Sequence, residues 1–143
     1  MTTDLLQPTI RVRDHDLTVA DAMDPCEYQI AEDSTVDRAN DIFRSAHVTY
    51  LIVRDHDGRC AGLVTRTGLL PFLNRSWYTE RTRVRDVLRL RGPFAWPSMA
   101  LDVAARVMSI QRRNVWPVVD EDGYAVGVLT AARVRGLLVA AES

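Results

Sequence analysis

Apolar positions along the chain recur with two different periods. Val36, Ala39, Ile42, Phe43 and Ala46 are spaced by three and four, and so are Leu101, Ala104, Val107 and Met108. That spacing places each set on one stripe of an amphipathic helix. The runs TYLIVR (49–54) and VWPVV (115–119) are continuously apolar over a few residues and read as buried strands. Each is followed by an Asp-x-Asp-Gly turn and then by a second strand, at 60–65 and 125–130. The glycine supplies the positive φ that a tight hairpin needs. Short helical turns are expected at 19–23 and 84–88, brief strands at 28–30 and 94–96, and closing helices at 67–73 and 131–140. Ser34 and Ser98 are the expected caps of the amphipathic helices, and Thr65 and Thr130 those of the closing helices.

The two series are one series written twice. A shift of 65 positions, without a gap, brings Asp21 onto Asp86, Asp37 onto Asp102, Val53 onto Val118, Gly62 onto Gly127 and Thr65 onto Thr130. A register kept over that length marks an internal duplication. One copy has too few strands and helices to cover both faces of its sheet. The expected fold is therefore an α/β (α+β) body of two pseudo-symmetric units packed sheet to sheet. Its expected divisions are an N-terminal extension (1–16), a first unit (17–73), a linker (74–81) and a second unit (82–140).

The segments AEDSTVDRA…YLIVRDHDGRCAGLVTRTGLL and SMALDVAARVM…VWPVVDEDGYAVGVLTAARV resemble tandem cystathionine β-synthase (CBS) domains. The resemblance covers residues 17–140 and implies a Bateman module, a regulatory pair that forms homodimers. It also implies ligand clefts between the halves that hold an adenine nucleotide or a related adenosyl compound such as S-adenosylmethionine. The family's signature, Gly-x-x-Thr/Ser-x-x-Asp, is met by Gly62, Thr65 and Gly68 in the first copy and by Gly127, Thr130 and Arg133 in the second. Both copies keep the hydroxyl, and neither has the carboxylate that accepts hydrogen bonds from ribose. A charged bond of that kind is worth roughly 1.5–3 kcal/mol, about 10- to 100-fold in affinity. Tyr28, Ile30, Phe94 and Trp96 stand where the family's first strand touches a base; packing in the core or an interface is the other reading of Tyr28 and Trp96, and that of Trp116 as well. Arg133, in the carboxylate's place, either pairs with a phosphate or fills the site itself; a surface or dimer-interface arginine is the other, favoured reading. The sequence ends with the second copy, so a stand-alone module signalling to a separate protein partner is expected. The alternative is a ligand-free dimerisation or scaffold module.

Composition narrows the field further. The chain has 143 residues with 18 basic and 19 acidic side chains, a net charge of −1. That near-neutral balance argues against bulk attachment to nucleic acid or an anionic membrane. Every basic residue is arginine, which excludes Schiff-base and phosphate-loop lysine chemistry. Six of them, Arg75, Arg81, Arg83, Arg85, Arg89 and Arg91, crowd the junction between the copies. Arg81, Arg83 and Arg85 alternate, so an extended stretch would present them on one side to a phosphate, a nucleic acid or an acidic partner. Pairing with the acidic remainder is the other, favoured reading. There is no signal-peptide pattern and no apolar run of membrane-spanning length, so a cytoplasmic location is expected. Cys26 and Cys60 lack metal-ligand spacing and are expected as reduced thiols. No catalytic motif is present, and neither an enzyme nor a resident cofactor is expected. The Asp-x-Asp-Gly segments lack the further ligands of a calcium loop and are assigned to turns.

Overall fold

The computed structural model describes residues 16–142, so the expected N-terminal extension lies, up to residue 15, outside the described residues. In chain order the elements are α1 (Val19–Ala22), β1 (Gln29–Ala31), α2 (Val36–Ala46), β2 (Tyr50–Arg54), β3 (Cys60–Thr65), α3 (Arg66–Leu73), α4 (Val84–Val87), α5 (Leu101–Ile110), β4 (Val115–Val119), β5 (Ala125–Thr130) and α6 (Ala131–Glu142). One sheet has the order β1-β2-β3, with β1 parallel and β3 antiparallel to β2; the other is the antiparallel pair β4-β5.

The duplication persists in the hydrogen bonding. Val53 pairs with Gly62 and Val118 with Gly127, and in both sheets the register slips at the next residue of the first strand. The hairpin glycines have the positive φ expected of them, +84° at Gly58 and +91° at Gly123. Asp55 Oδ1 accepts from the Asp57 and Arg59 amides, and Asp120 Oδ1 from those of Asp122 and Tyr124. These carboxylates brace turns, as expected.

Three local expectations are corrected. Thr35, not Ser34, caps α2, its hydroxyl accepting from the Arg38 amide at 3.1 Å. The Ser34 backbone is already engaged, donating to Ala31 O and accepting from Val84 N. Ser98 does not cap α5, whose N-cap is Ala100; the Leu17 carbonyl takes the Leu101 amide instead, at 2.9 Å. The strand expected at 94–96 shrinks to a single parallel bridge between Ala95 and Val118. Pro93 and Pro97 flank it, and neither has an N–H to lengthen the ladder.

The core explains why two copies make one body. Phe43, Leu51, Val53 and Leu69 of the first copy pack with Val84, Val87 and Leu88 of the second. Leu101, Met108, Trp116 and Leu129 of the second copy pack with Val19 and Ala22 of the first. Each core therefore takes its short helix from the other copy. Two antiparallel bridges, Thr18–Ala100 and Thr35–Arg83, hold these exchanged helices, and they are repeat mates under the 65-residue shift. Val84, Val87 and Leu88 are at most 4% exposed. Burial stabilises by roughly 1.5–3 kcal/mol per side chain of this size, so the exchange is strongly held. Ile52, Leu63 and Val128 form a third cluster between the two sheets, the expected sheet-to-sheet contact.

Candidate functional site

The two signature glycines first serve the backbone. A Cβ on Gly62 would stand 2.3 Å from Leu90 O, and one on Gly127 would stand 2.8 Å from Met23 Sδ and 2.9 Å from Asp24 O. Only glycine lets the chain that leaves each exchanged helix lie against the neighbouring strand. There it forms the Asp24–Val128 and Leu63–Leu90 bridges.

After Asp24 the chain borders a cavity of about 430 Å³ lined by Asp24, Glu27, Tyr28, His47, Thr49 and Tyr50. Tyr28 is 40% exposed, and its carbonyl accepts from the Ile52 amide. Burial, followed by the charges of Cys26, Asp24 and Glu27, raises the Tyr50 phenol above its ordinary range, so it stays a neutral donor.

Arg133 reaches the edge of this cavity from the other copy, beside Asp24. The Thr130 hydroxyl accepts from the Arg133 amide at 3.4 Å, in the cap position expected of it. The Arg133 side chain crosses to α1, where Nε donates to Ala22 O at 2.9 Å and stands 3.7 Å from Asp24 Oδ1. A cation at the last carbonyls of a helix is favourably placed. The guanidinium is thus held at one edge, and its two Nη groups bond no other described residue. The first turn of α6 carries no acidic residue to offset its partial positive charge.

The first-copy signature is built differently. Thr65 caps α3 by accepting from the Gly68 amide at 3.0 Å. The cavity it shares with Gly68, Val87, Arg89 and Leu90 is only about 40 Å³, far below the usual ligand-pocket range of roughly 300–1,000 Å³. Under the repeat, Gly68 and Arg89 replace Arg133 and Asp24. Arg89 lies over the Phe72 ring at 5.2 Å.

Of the eight residues singled out by the resemblance, Tyr28 lines the larger cavity, Arg133 stands at its edge beside Asp24 and Thr130 caps the helix that carries Arg133, while Thr65 and Gly68 line the smaller cavity. Ile30 is 3% exposed in the first core. Phe94 packs by Gly92, and Trp96, 51% exposed, lines a separate groove with Val119 and Asp120. Trp116 is a core residue whose indole donates to Pro93 O. Asp24, Glu27 and Tyr50 were not anticipated. Tyr50 sits in a run that reads as pure core, and its polar end at the strand start was the available signal.

Of the six junction arginines only Arg85 meets the expected carboxylate partner among the described residues, while two others bond backbone carbonyls. Arg83 donates to Asp33 O, Arg85 pairs with the Asp33 carboxylate, and Arg91 donates to Arg85 O. Arg85 lies in α4, however, so residues 81, 83 and 85 do not form one extended row. Among the described residues no helix is long and apolar enough to cross a membrane, and no cluster of three metal-ligating side chains occurs.

Two duplicated α+β units with exchanged helices, joined where Arg133 of one meets Ala22 and Asp24 of the other, define a tandem domain pair. The chain belongs to the CBS domain family, whose profile matches residues 16–75 and 84–140. It is similar to the crystal structure of CBSX2, a CBS-pair protein from Arabidopsis thaliana, in complex with AMP. The two are 27% identical with a TM-score of 0.72, over 88% of this chain and 98% of that one. The cytosolic domain of the Mg2+ channel MgtE in complex with ATP is 26% identical with a TM-score of 0.72, over 90% of this chain and 50% of that one. Among curated proteins, a homoserine O-acetyltransferase of Methanohalophilus mahii is 28% identical over 123 residues, which cover 85% of this chain and 24% of the enzyme. The chain spans about a quarter of the length of the curated relatives it matches.

Proposed function

We propose that the chain is a regulatory CBS pair that takes an adenosine phosphate into the cavity of Tyr28 and Tyr50 and signals its occupancy to a separate protein partner. The observation that carries this reading is Arg133, held by Ala22 O and Asp24 beside that cavity. Its outer nitrogens and the Thr130 hydroxyl suit a phosphate, with the N-terminus of α6 adding partial positive charge. The tyrosine rings suit a base. Asp24 and Glu27 supply, from the loop after α1, the acceptors for ribose that the helix position lacks. The cavity volume of about 430 Å³ falls in the ordinary range for small-molecule sites. The AMP and ATP named with CBSX2 and MgtE support the same ligand class.

Binding there would tie the α1 loop of one copy to the α6 start of the other. A ligand with different affinities for two arrangements of that seam shifts the balance between them, which is the signal a partner reads. The working form is a homodimer in the cytoplasm, with no chemistry of its own. Leu70, Val103, Ile110 and Val139 leave apolar surface exposed on three helices, which supports association of two copies. Light scattering tests it, and a monomer at high concentration would contradict the dimer.

Thermal unfolding with AMP, ATP, NAD and S-adenosylmethionine tests the ligand reading. Ligand at about 100 times its dissociation constant stabilises by roughly 2.7 kcal/mol, a rise of several degrees. Absence of any shift at millimolar concentrations of all four would refute it. The chain would then be a ligand-free dimerisation or scaffold module, as the two missing signature carboxylates allow.

A further inference from the structure

A second cavity, of about 320 Å³, opens between the end of α5 and the start of α6, away from the seam of Tyr28 and Arg133. Its floor is apolar, with Met108 and Val134 at most 3% exposed. Its rim carries Arg112, Arg113 and Arg135 with Asn114, and no carboxylate lines it.

Arg113 is fixed in place. Its Nε donates to Gln111 Oε1 at 2.7 Å, Nη2 donates to Arg91 O at 3.3 Å, and the guanidinium stands 5.9 Å from the Trp116 ring centre. Arg112 and Arg135 differ: among the described residues neither is paired with a carboxylate. Asn114 O accepts from the Ala131 amide, which sets the start of α6 against the same rim. Three cations around one apolar-floored hollow leave positive potential that nothing in the lining offsets.

The duplication supplies an internal control. At the repeat positions of Arg112, Arg113 and Arg135 the first copy has His47, Val48 and Leu70, and Phe43 stands for Met108. The positive turn conformation is common to both copies, at His47 and Arg112, so it follows from the fold. The three arginines belong to the second copy alone and are not needed to build the unit.

We infer that this cavity binds a compact organic polyanion, a phosphate ester or a dicarboxylate, between Arg112 and Arg135, with Arg113 as its rigid wall. This site is independent of the nucleotide cavity and stands whether or not that cavity is filled. Its size suits a small molecule, and the apolar floor favours one with a hydrocarbon body over a bare ion.

Titration of the full chain with inorganic pyrophosphate and with citrate, read by calorimetry and by backbone amide resonances, tests the inference. Saturable binding is expected, with shifts centred on Arg112, Asn114 and Arg135. Arg112→Ala and Arg135→Ala should each weaken it about tenfold, the lower end for a charged hydrogen bond. Arg133→Ala should leave it unchanged. Stronger binding of pyrophosphate identifies a phosphate ligand, and stronger binding of citrate a carboxylate. No saturable binding at millimolar concentrations would overturn the inference. So would shifts of the Asn114 amide that survive in the double variant, or that disappear with Arg133→Ala. If the arginine variants change only the oligomeric state, the arginines serve a protein contact and the ligand site is refuted.

Discussion

Replacing Arg133 by alanine separates two roles that the structure combines in one side chain. The substitution removes the hydrogen bond to Ala22 O at 2.9 Å and the 3.7 Å approach to Asp24. The arginine side chain is 48% exposed, so solvent screens both contacts. The structural loss is about 1 kcal/mol after that discount, a fall of roughly 2–4 °C in Tm. The loss in binding should be larger. A guanidinium donating to phosphate is worth roughly 1.5–3 kcal/mol, and partial exposure favours the lower end, about tenfold in the dissociation constant for AMP. Asp24, deprived of its cation beside an incoming phosphate, acts in the same direction. Calorimetric titration at physiological salt, with Arg133→Lys as the charge-conserving control, measures this directly. The lysine should fall between arginine and alanine, because it keeps the charge and loses the planar fork. Unchanged or tighter AMP binding in Arg133→Ala would refute the reasoning and make the arginine a plug that fills the site.

Two other predictions come from geometry. Gly127→Ala should destabilise by about 1–3 kcal/mol, because its Cβ meets Met23 Sδ and Asp24 O; Gly62→Ala should cost more, since backbone Leu90 O at 2.3 Å cannot swing aside as a side chain can. Urea unfolding checks the order, and equal midpoints for wild type and Gly62→Ala would contradict the close approach. Burial, with Cys26 and Asp55 adding, pushes the Cys60 thiol up from 9.0 to about 11. Near neutral pH it should therefore hold about 100-fold less thiolate than an ordinary thiol and alkylate correspondingly slowly. The rate should climb until pH passes about 11. Iodoacetamide labelling followed by peptide mass analysis reads this, and labelling of Cys60 at the rate of a free thiol would disprove it.

Local chemistry accounts for what could be read in advance. The boundaries of β3, β4 and β5 agree with the apolar runs, because a strand buried on both faces needs nothing more than a short continuous run between turn residues. Thr65 and Thr130 were legible as caps because each hydroxyl bonds an amide three residues on. Ser34 misled for the opposite reason: its backbone is taken by a chain 50 residues away, and the neighbouring threonine does the capping. At 94–96 the aromatic residues suggested a strand, while the flanking prolines decided against more than one bridge.

The amino-acid order by itself determined the duplication, the α+β units, their hairpins and the residues that carry the family signature. All of these depend on periodicity or on neighbours within a few positions. Only the tertiary structure decided that the copies exchange their short helices, because that choice lies in which core offers the better burial for Val19 or Val84. It also decided why the signature begins with glycine, and that Arg133 would meet Ala22, 111 positions away. The same folding made the two signature sites unequal, leaving one hollow near 430 Å³ and the other near 40 Å³. Repeats encode like backbones, but the hollow between them is shaped by side chains that differ. Asp24 with Arg133 forms one edge and Arg89 with Gly68 the other, and only close packing brings those partners together.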